Sequence, residues 1–185
     1  MDLTRPTCPD PYDLLPRVPS FTLTSPDFSD GDTLPSSATA EGGSRSPELH
    51  WSGFPAHTRS FLLTCFDPDA PTPSGYWHWC LVDLDASTTH VPAGIGSSDL
   101  SVEGASFHVK NDAGVWGFYG AAPPAGDRPH RYIFVVHALD VDTLNLDDEA
   151  TPATVSFTAL PHVLARASLT ATYAAPMQEK EESEG

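Results

Sequence analysis

Short apolar runs, separated by turn-forming residues, recur along the whole chain. The two strongest runs occupy residues 60–66 and 76–84, and their length and flanking turn residues are typical of strands. A third run, at residues 129–140, is almost wholly apolar from 132 to 139, which predicts a strand buried on both faces. Shorter alternating or turn-bounded segments predict further strands at residues 20–25, 33–34, 48–51, 105–109 and 168–173.

One helix is predicted late in the chain. Thr151 can serve as its N-cap, Pro152 suits its first turn, and the three acidic residues at 147–149 complement the helix dipole. The helix is expected to run to about Arg166, with a kink or a break at Pro161. Many short strands and a single helix predict a β-rich sandwich.

The whole pattern fits one domain. Residues 1–176 show no internal repeat and no linker, and residues 1–18 are proline-punctuated, which predicts an irregular N-terminal segment. Residues 177–185 are rich in glutamate and are expected to form an acidic, disordered tail. Nineteen prolines also argue against a mainly helical protein.

The connection between the two strongest predicted strands carries chemistry. Three prolines within residues 68–75 remove amide donors, so this stretch is neither helix nor central strand. Asp67 precedes a proline and is therefore biased to extended geometry, which makes it the last strand residue. His78 follows the connection, between two tryptophans. A carboxylate and an imidazole thus enter one site from adjacent strand ends.

A second stretch, at residues 117–132, also predicts polar side chains at a strand end. Glycines and prolines at residues 117–126 form a compact loop, and His130 and Tyr132 then open a strand. Because side chains alternate along a strand, these two side chains share one face while Arg131 lies on the other. The loop therefore delivers an imidazole and a phenol beside glycines whose backbone can approach a ligand closely.

Together these residues predict an anion pocket. A carboxylate beside a histidine favours the protonated imidazole, so His78 and His130 are expected to be held as cations. Taken singly, Asp67 and Asp69 read as caps of the turn and the histidines as framework residues. Taken jointly, with Tyr132 and the loop amides, they suit a phosphate monoester or a carboxylate. Rigid apolar walls are expected from Pro71, Trp77, Pro123 and Pro124.

Charge and composition limit the partners. The net charge is −16, from 9 basic and 25 acidic residues, which repels nucleic acid and anionic membrane surfaces at long range. No run reaches the roughly 20 apolar residues of a membrane span, and no signal peptide is evident.

The odd count of three cysteines without a CxxC motif predicts buried thiols in a reducing, cytoplasmic compartment. We expect no cofactor and no metal, because ligand spacing is absent at His50, His57, His90, His108, His137 and His162.

Three motifs carry a resemblance. DPDAP at residues 67–71, GYWHW at 75–79 and YGAAPPAGDRPHRY at 119–132 resemble the phosphatidylethanolamine-binding protein family, in particular its bacterial Raf kinase inhibitor-like branch and actinobacterial members. The likeness extends to PSFTL at 19–23, SPELHWSGFP at 46–55, VKNDAG at 109–114 and HVLARASLTATY at 162–173. It implies a large antiparallel sheet packed on a smaller sheet, with a C-terminal helix beside a pocket for phosphate, phosphorylethanolamine, acetate or cacodylate. The pocket residues carried over are Asp67, Asp69, Pro71, His78, Gly120, Pro123, Pro124, His130 and Tyr132.

The chain also departs from its relatives. Ala121 and Ala122 stand where many bacterial members have a cysteine before the paired prolines, and Trp79 stands where eukaryotic members have a second histidine. These differences weigh against eukaryotic-type kinase inhibition.

Three functions stay open. The first is a non-enzymatic binding module that regulates a kinase or a protease through a phosphorylated or anionic ligand. The second is a hydrolase, in which Asp67 and His78 act as general base and orienter, or in which Asp67, His78 and His130 bind a metal ion. No GxSxG nucleophile motif supports it. The third is a structural homodimer with a vestigial pocket.

Overall fold

Two antiparallel sheets form the body of the computed structural model, which describes residues 3–99 and 102–177. Among these residues there is one α-helix, α1, which spans Pro152–Ala159 and covers one face of the larger sheet. The strands are β1 (Thr22–Thr24), β2 (Leu49–Ser52), β3 (Ser60–Asp67), β4 (Tyr76–Asp85), β5 (His90–Val91), β6 (Phe107–His108), β7 (His130–Leu139) and β8 (Val163–Tyr173).

The larger sheet has the order β6-β4-β3-β7-β8 and the smaller one β1-β2-β5. The long strands β3 and β7 lie at the centre of the larger sheet, and nearly every residue in them is buried. The predicted mainly β fold, with a large sheet, a smaller sheet and a C-terminal helix, is confirmed.

Alternation along the central strands divides the core in two. Leu63 and Phe134 point into the cluster between the two sheets, where they join Trp51 of the smaller sheet. Leu62 points the other way and packs in a second cluster that includes Val155 of α1. The larger sheet therefore has two buried faces, and each can support its own cavity.

The helix differs from its prediction. Thr151 caps it as expected, with its hydroxyl accepting a hydrogen bond from the amide of Thr154 at 3.1 Å. It ends at Ala159, however, and Pro161 lies in a short 3₁₀ turn, Leu160–His162, that leads directly into β8. The expectation of helix to about Arg166 was therefore wrong, because proline cannot donate the next helical hydrogen bond.

Several strand bounds also differ. β8 is longer than predicted because it pairs with the whole length of β7. The predicted strand at residues 33–34 is only an isolated bridge from Thr33 to Thr172, and β5 was not predicted. Residues 3–18 contain one 3₁₀ turn, Pro11–Leu14, and otherwise no helix or strand. Most of the predicted acidic tail, residues 178–185, lies outside the described residues.

Two further expectations concern the thiols and the membrane. Cys65 and Cys80 are buried and free, while Cys8 is free and exposed. Within residues 3–99 and 102–177, no helix is long and apolar enough to cross a membrane.

The loop before β7 is pinned to the segment around Thr39. Ala121 donates its amide to the carbonyl of Ala38 at 3.1 Å and accepts from the amide of Ala40 at 2.9 Å. Gly120 lies so close to this segment that a Cβ there would come within 2.4 Å of the Thr39 carbonyl carbon. Glycine is required here because the two backbones approach closely.

We therefore predict that Gly120→Ala destabilises the fold. Neither backbone can move freely, so the free energy of unfolding should fall by about 1–3 kcal/mol, as for other overpacked sites. Chemical denaturation checks this, with Ala125→Ser at an exposed position of the same loop as the control. A Gly120→Ala protein as stable as the control would contradict the close packing described here.

Candidate functional site

A cavity of about 190 Å³ opens where three strand ends of the larger sheet meet. Asp67 ends β3 and pairs in register with Tyr76, which begins β4, while β7 begins at His130. The prediction that Asp67 is the last strand residue is confirmed. The lining residues are Asp67, Pro71, Tyr76, His78, Tyr119, Ala122, Pro123, Pro124, His130 and Tyr132.

The cavity unites the predicted site residues except Asp69 and Gly120, and Trp77 does not line it. The expectation that Trp77 forms a wall here was wrong, because its side chain points to the opposite face of the sheet from His78. Gly120 uses its amide to donate to the hydroxyl of Ser44 at 2.9 Å, so this amide is already engaged within the protein. Sequence reasoning missed Tyr76 and Tyr119 as lining residues. Both belong to the motifs already singled out, and the register of Tyr76 opposite Asp67 is the signal that could have found it.

Asp67 both caps the turn and orients a histidine. Its Oδ1 accepts hydrogen bonds from the amides of Asp69 at 2.7 Å and Ala70 at 3.1 Å. Its Oδ2 accepts from Nδ1 of His130 at 2.7 Å. Asp67 therefore stabilises the turn and orients His130 at the same time.

His130 bridges two carboxylates. Its Nδ1 donates to Asp67, and its Nε2 donates to Oδ2 of Asp127 at 2.8 Å. Burial alone would lower the pKa of His130, but the hydrogen bonds to these two carboxylates outweigh it and raise the pKa. Both ring nitrogens lie within hydrogen-bonding distance of a carboxylate, an arrangement that favours the protonated ring.

Asp127 was missed from the sequence. It binds the guanidinium of Arg5 in a bidentate pair, with distances of 2.7 Å and 3.0 Å. The Arg5 hydrogen bond, helped by His130, holds the pKa of Asp127 well below its usual range. A carboxylate three residues before a histidine was a usable signal, whereas Arg5 lies 122 residues away in an irregular segment.

Asp69 faces away from the cavity. Its carboxylate accepts from Nε of Arg131 at 2.7 Å and from a terminal nitrogen of Arg128 at 3.3 Å. Burial would raise the pKa of Asp69, but the bonds from Arg131 and the charge of Arg128 lower it. The alternation along β7 explains the arrangement, because Arg131 points to the opposite face from His130. Asp69 is thus a positioning residue.

The polar network behind the cavity has an excess of positive charge. Three carboxylates meet four cationic groups, which leaves a local charge of +1 in a chain whose net charge is −16. The acids are Asp67, Asp69 and Asp127, and the cations are Arg5, Arg128, Arg131 and His130.

His78 differs electrostatically from His130. Its Nδ1 donates to the carbonyl of Tyr119 at 2.7 Å, which leaves Nε2 as the nitrogen open to a ligand. Burial lowers the pKa of His78, and the Tyr119 carbonyl and the charge of Asp67 only partly offset this. The expectation that both imidazoles are held as cations therefore holds for His130 and was wrong for His78, where desolvation dominates.

Tyr132 contributes an unused donor. Its side chain is about 1% exposed, and its hydroxyl has no hydrogen-bond partner among residues 3–99 and 102–177. Burial, followed by the charge of Asp67, raises the pKa of Tyr132, so the phenol keeps its proton. A buried hydroxyl without a partner costs free energy, and a ligand in the cavity would satisfy it.

The described part of the chain contains no group of three or more His, Cys, Asp or Glu side chains arranged to hold a metal ion. The cavity offers a ligand a phenol donor and an imidazole that can take up a proton, and a network of partly buried cationic side chains lies behind them.

Comparisons with known proteins agree with this architecture. The sequence profile of the phosphatidylethanolamine-binding protein family matches residues 24–174. The UPF0098 protein YbhB of Escherichia coli is 45% identical over 156 residues, which cover 82% of this chain and 98% of YbhB.

Solved structures give the same result. The crystal structure of E. coli YbcL, described as a new member of the mammalian PEBP family, aligns with a TM-score of 0.82 at 38% identity and covers 84% of this chain and 99% of YbcL. The PEBP homologue CT736 of Chlamydia trachomatis aligns with a TM-score of 0.72 at 28% identity, over 84% of this chain and 98% of CT736. The closer likeness to actinobacterial members stays a prediction. The profile match and these relatives show that the chain belongs to the phosphatidylethanolamine-binding protein family.

Proposed function

We propose that the protein binds a small oxyanion, a phosphate monoester or a carboxylate, in the cavity at the strand ends, without catalysing a reaction on it. The observation that carries the proposal is the buried Tyr132 hydroxyl, which lines the cavity and has no partner within the described residues. His78 lies beside it, with ring centroids 5.1 Å apart. A phenol and an imidazole at this spacing suit one oxygen-rich guest.

Proton uptake accompanies binding in this proposal. His78 is neutral at pH 7 because burial lowers its pKa. An anion stabilises the imidazolium, so His78 takes up a proton as the anion enters, and its Nε2 then donates to the ligand. The charged groups that act on this ring are Asp67, Asp112 and His130.

The family name supports a phosphate-bearing ligand. The phosphodiester of a phosphatidylethanolamine headgroup presents anionic oxygens to hydrogen-bond donors, as a phosphate monoester or a phosphorylated side chain does. Regulation of a kinase or a protease would act through this cavity, either by blocking it or by docking a phosphorylated segment there. These partners rest on the resemblance alone, whereas the proposed cytoplasmic location rests on the three free cysteines.

A hydrolase is the second candidate, and the local geometry favours it less. Asp67 is hydrogen-bonded to His130, and His78 is hydrogen-bonded to the Tyr119 carbonyl, so Asp67 does not orient His78. Turnover of a panel of phosphate and carboxylate esters by the wild-type protein would establish the hydrolase. Binding without turnover supports the proposed function. A structural dimer with a vestigial pocket requires that pocket variants leave self-association and partner binding unchanged.

We predict that Tyr132→Phe weakens oxyanion binding and spares the fold. A hydrogen bond to a charged group contributes about 1.5–3 kcal/mol, so affinity for phosphorylethanolamine should fall roughly 10- to 100-fold. Stability should stay equal or rise, because the hydroxyl has no partner to lose. Titration calorimetry and thermal unfolding measure the two effects.

Tyr173→Phe is the matched control for this prediction, since Tyr173 is partly buried and does not line the cavity. It should bind phosphorylethanolamine like the wild type. If Tyr132→Phe also binds like the wild type, the hydroxyl does not serve the ligand and the proposal loses its main support.

We also predict that oxyanion affinity falls as the pH rises from 6 to 8. The pKa of His78 in the free protein lies below 6.5 and rises on binding, so affinity is highest where the imidazolium forms most easily. Sulfate is the suitable probe because it does not titrate in this range. Calorimetry in two buffers of different ionisation enthalpy should detect proton uptake at pH 7.

His78→Gln should remove both the pH dependence and the proton uptake, because glutamine keeps a polar side chain that does not titrate. A pH dependence of sulfate binding that persists in His78→Gln would assign the titration to another group and contradict the role given to His78.

A further inference from the structure

A second cavity, of about 210 Å³, lies on the other side of the larger sheet. It is enclosed between α1, the 3₁₀ turn Pro11–Leu14 and the central strands. Most of its wall is hydrocarbon or aromatic carbon, supplied mainly by Leu62, Phe66, Trp77, Ala159, Leu160 and Val163.

This cavity is separate from the anion cavity. Phe66 precedes Asp67, and Trp77 precedes His78, so neighbouring side chains of each strand enter different cavities. The two cavities share no lining residue. The inference drawn from the second cavity therefore does not depend on the oxyanion proposal.

One end of the apolar cavity is polar and unsatisfied. His137 on β7 and Arg166 on β8 are cross-strand partners, and both line the cavity. Nδ1 of His137 and Nε of Arg166 are buried and have no hydrogen-bond partner within residues 3–99 and 102–177. The His137 side chain is about 93% buried, since the residue is 7% exposed. Tyr12 packs on it, with ring centroids 5.9 Å apart.

The charge at this end is also uncompensated. Arg166 donates to the carbonyl of Pro16 at 3.1 Å but forms no ion pair with any described acidic residue. Burial lowers the pKa of Arg166, and burial together with the Arg166 charge lowers the pKa of His137 to about 3. This end of the cavity thus holds a partly buried guanidinium and a buried imidazole without an acidic partner among the described residues, and the unpaired Nε and Nδ1 atoms cost free energy.

We propose that this cavity binds a small amphiphile with an apolar body and a single carboxylate head, such as a medium-chain fatty acid. The carboxylate accepts a hydrogen bond from Nε of Arg166 and one from Nδ1 of His137. The aliphatic body lies against Leu62, Trp77 and Ala159. Both unsatisfied nitrogens then have a partner, and the guanidinium has a counter-charge.

The test uses octanoate as the probe and octanol, which has the same chain length but no charge, as the control ligand. Nuclear magnetic resonance titration of the full-length protein should show saturable shifts of the Trp77 indole N–H and the Ala159 methyl with octanoate. Arg166→Met keeps the side-chain length and removes the charge. It should weaken octanoate binding at least about 10-fold, as expected for a charged hydrogen bond, while octanol binding changes less than about twofold.

Arg17→Met is the matched control, because Arg17 is an exposed cation of the N-terminal segment and does not line the cavity. It should bind octanoate like the wild type. Equal octanoate affinity in Arg166→Met and the wild type overturns the proposal. The wild-type titration also tests the proposal without any variant. If octanoate causes shifts at Tyr132 and His78 instead, or causes no saturable shift, the proposal is overturned.

Discussion

The cavity at the strand ends depends on a largely buried ion network in which His130 is held between two carboxylates. Asp67 reaches the imidazole from the end of β3 and Asp127 reaches it from the loop before β7. Arg5 closes the network from the N-terminal segment. Buried charges cost several kcal/mol each unless they are paired, and removing one partner of such a pair typically costs about 3–5 kcal/mol. The network therefore holds together pieces of chain that no local rule would unite.

The same network sets the electrostatics of the cavity. It engages both nitrogens of His130 and raises the pKa of this histidine, so His130 contributes positive charge rather than a free ring nitrogen. The groups left for a guest are the Tyr132 hydroxyl and Nε2 of His78. Burial lowers the pKa of both histidines, but only His130 has acids at hydrogen-bonding distance, and their hydrogen bonds raise its pKa overall. The protonated ring is therefore favoured at His130, whereas His78 can respond to a ligand.

Alternation along the strands explains how a thin sheet can carry two cavities. Neighbouring residues at the ends of β3 and β4 point to opposite faces, one toward the smaller sheet and one toward α1. The polar members, Asp67 and His78, belong to one cavity, and the aromatic members, Phe66 and Trp77, belong to the other. A shift of register by one residue would exchange these sets, so the same pairing fixes both cavities.

Much of the anion site could be predicted, because it rests on local rules. The proline after Asp67 places that carboxylate at a strand end, and alternation puts His130 and Tyr132 on one face. The contact of Arg5 with Asp127 could not be predicted, since it joins residues 122 apart through a segment without periodicity. The direction of Asp69 was equally open, because a carboxylate after a strand can face a cavity or an arginine. Gly120 was assigned to the ligand by resemblance, whereas close backbone approach accounts for the glycine.

The protonation state of His130 tests the central claim most directly. Nitrogen-15 magnetic resonance of the labelled full-length protein reports whether each ring nitrogen carries a proton. The account predicts that both nitrogens of His130 are protonated at pH 7, with a pKa above 6.5. A neutral His130 ring at pH 7, with one nitrogen unprotonated, would contradict the buried network between Asp67 and Asp127.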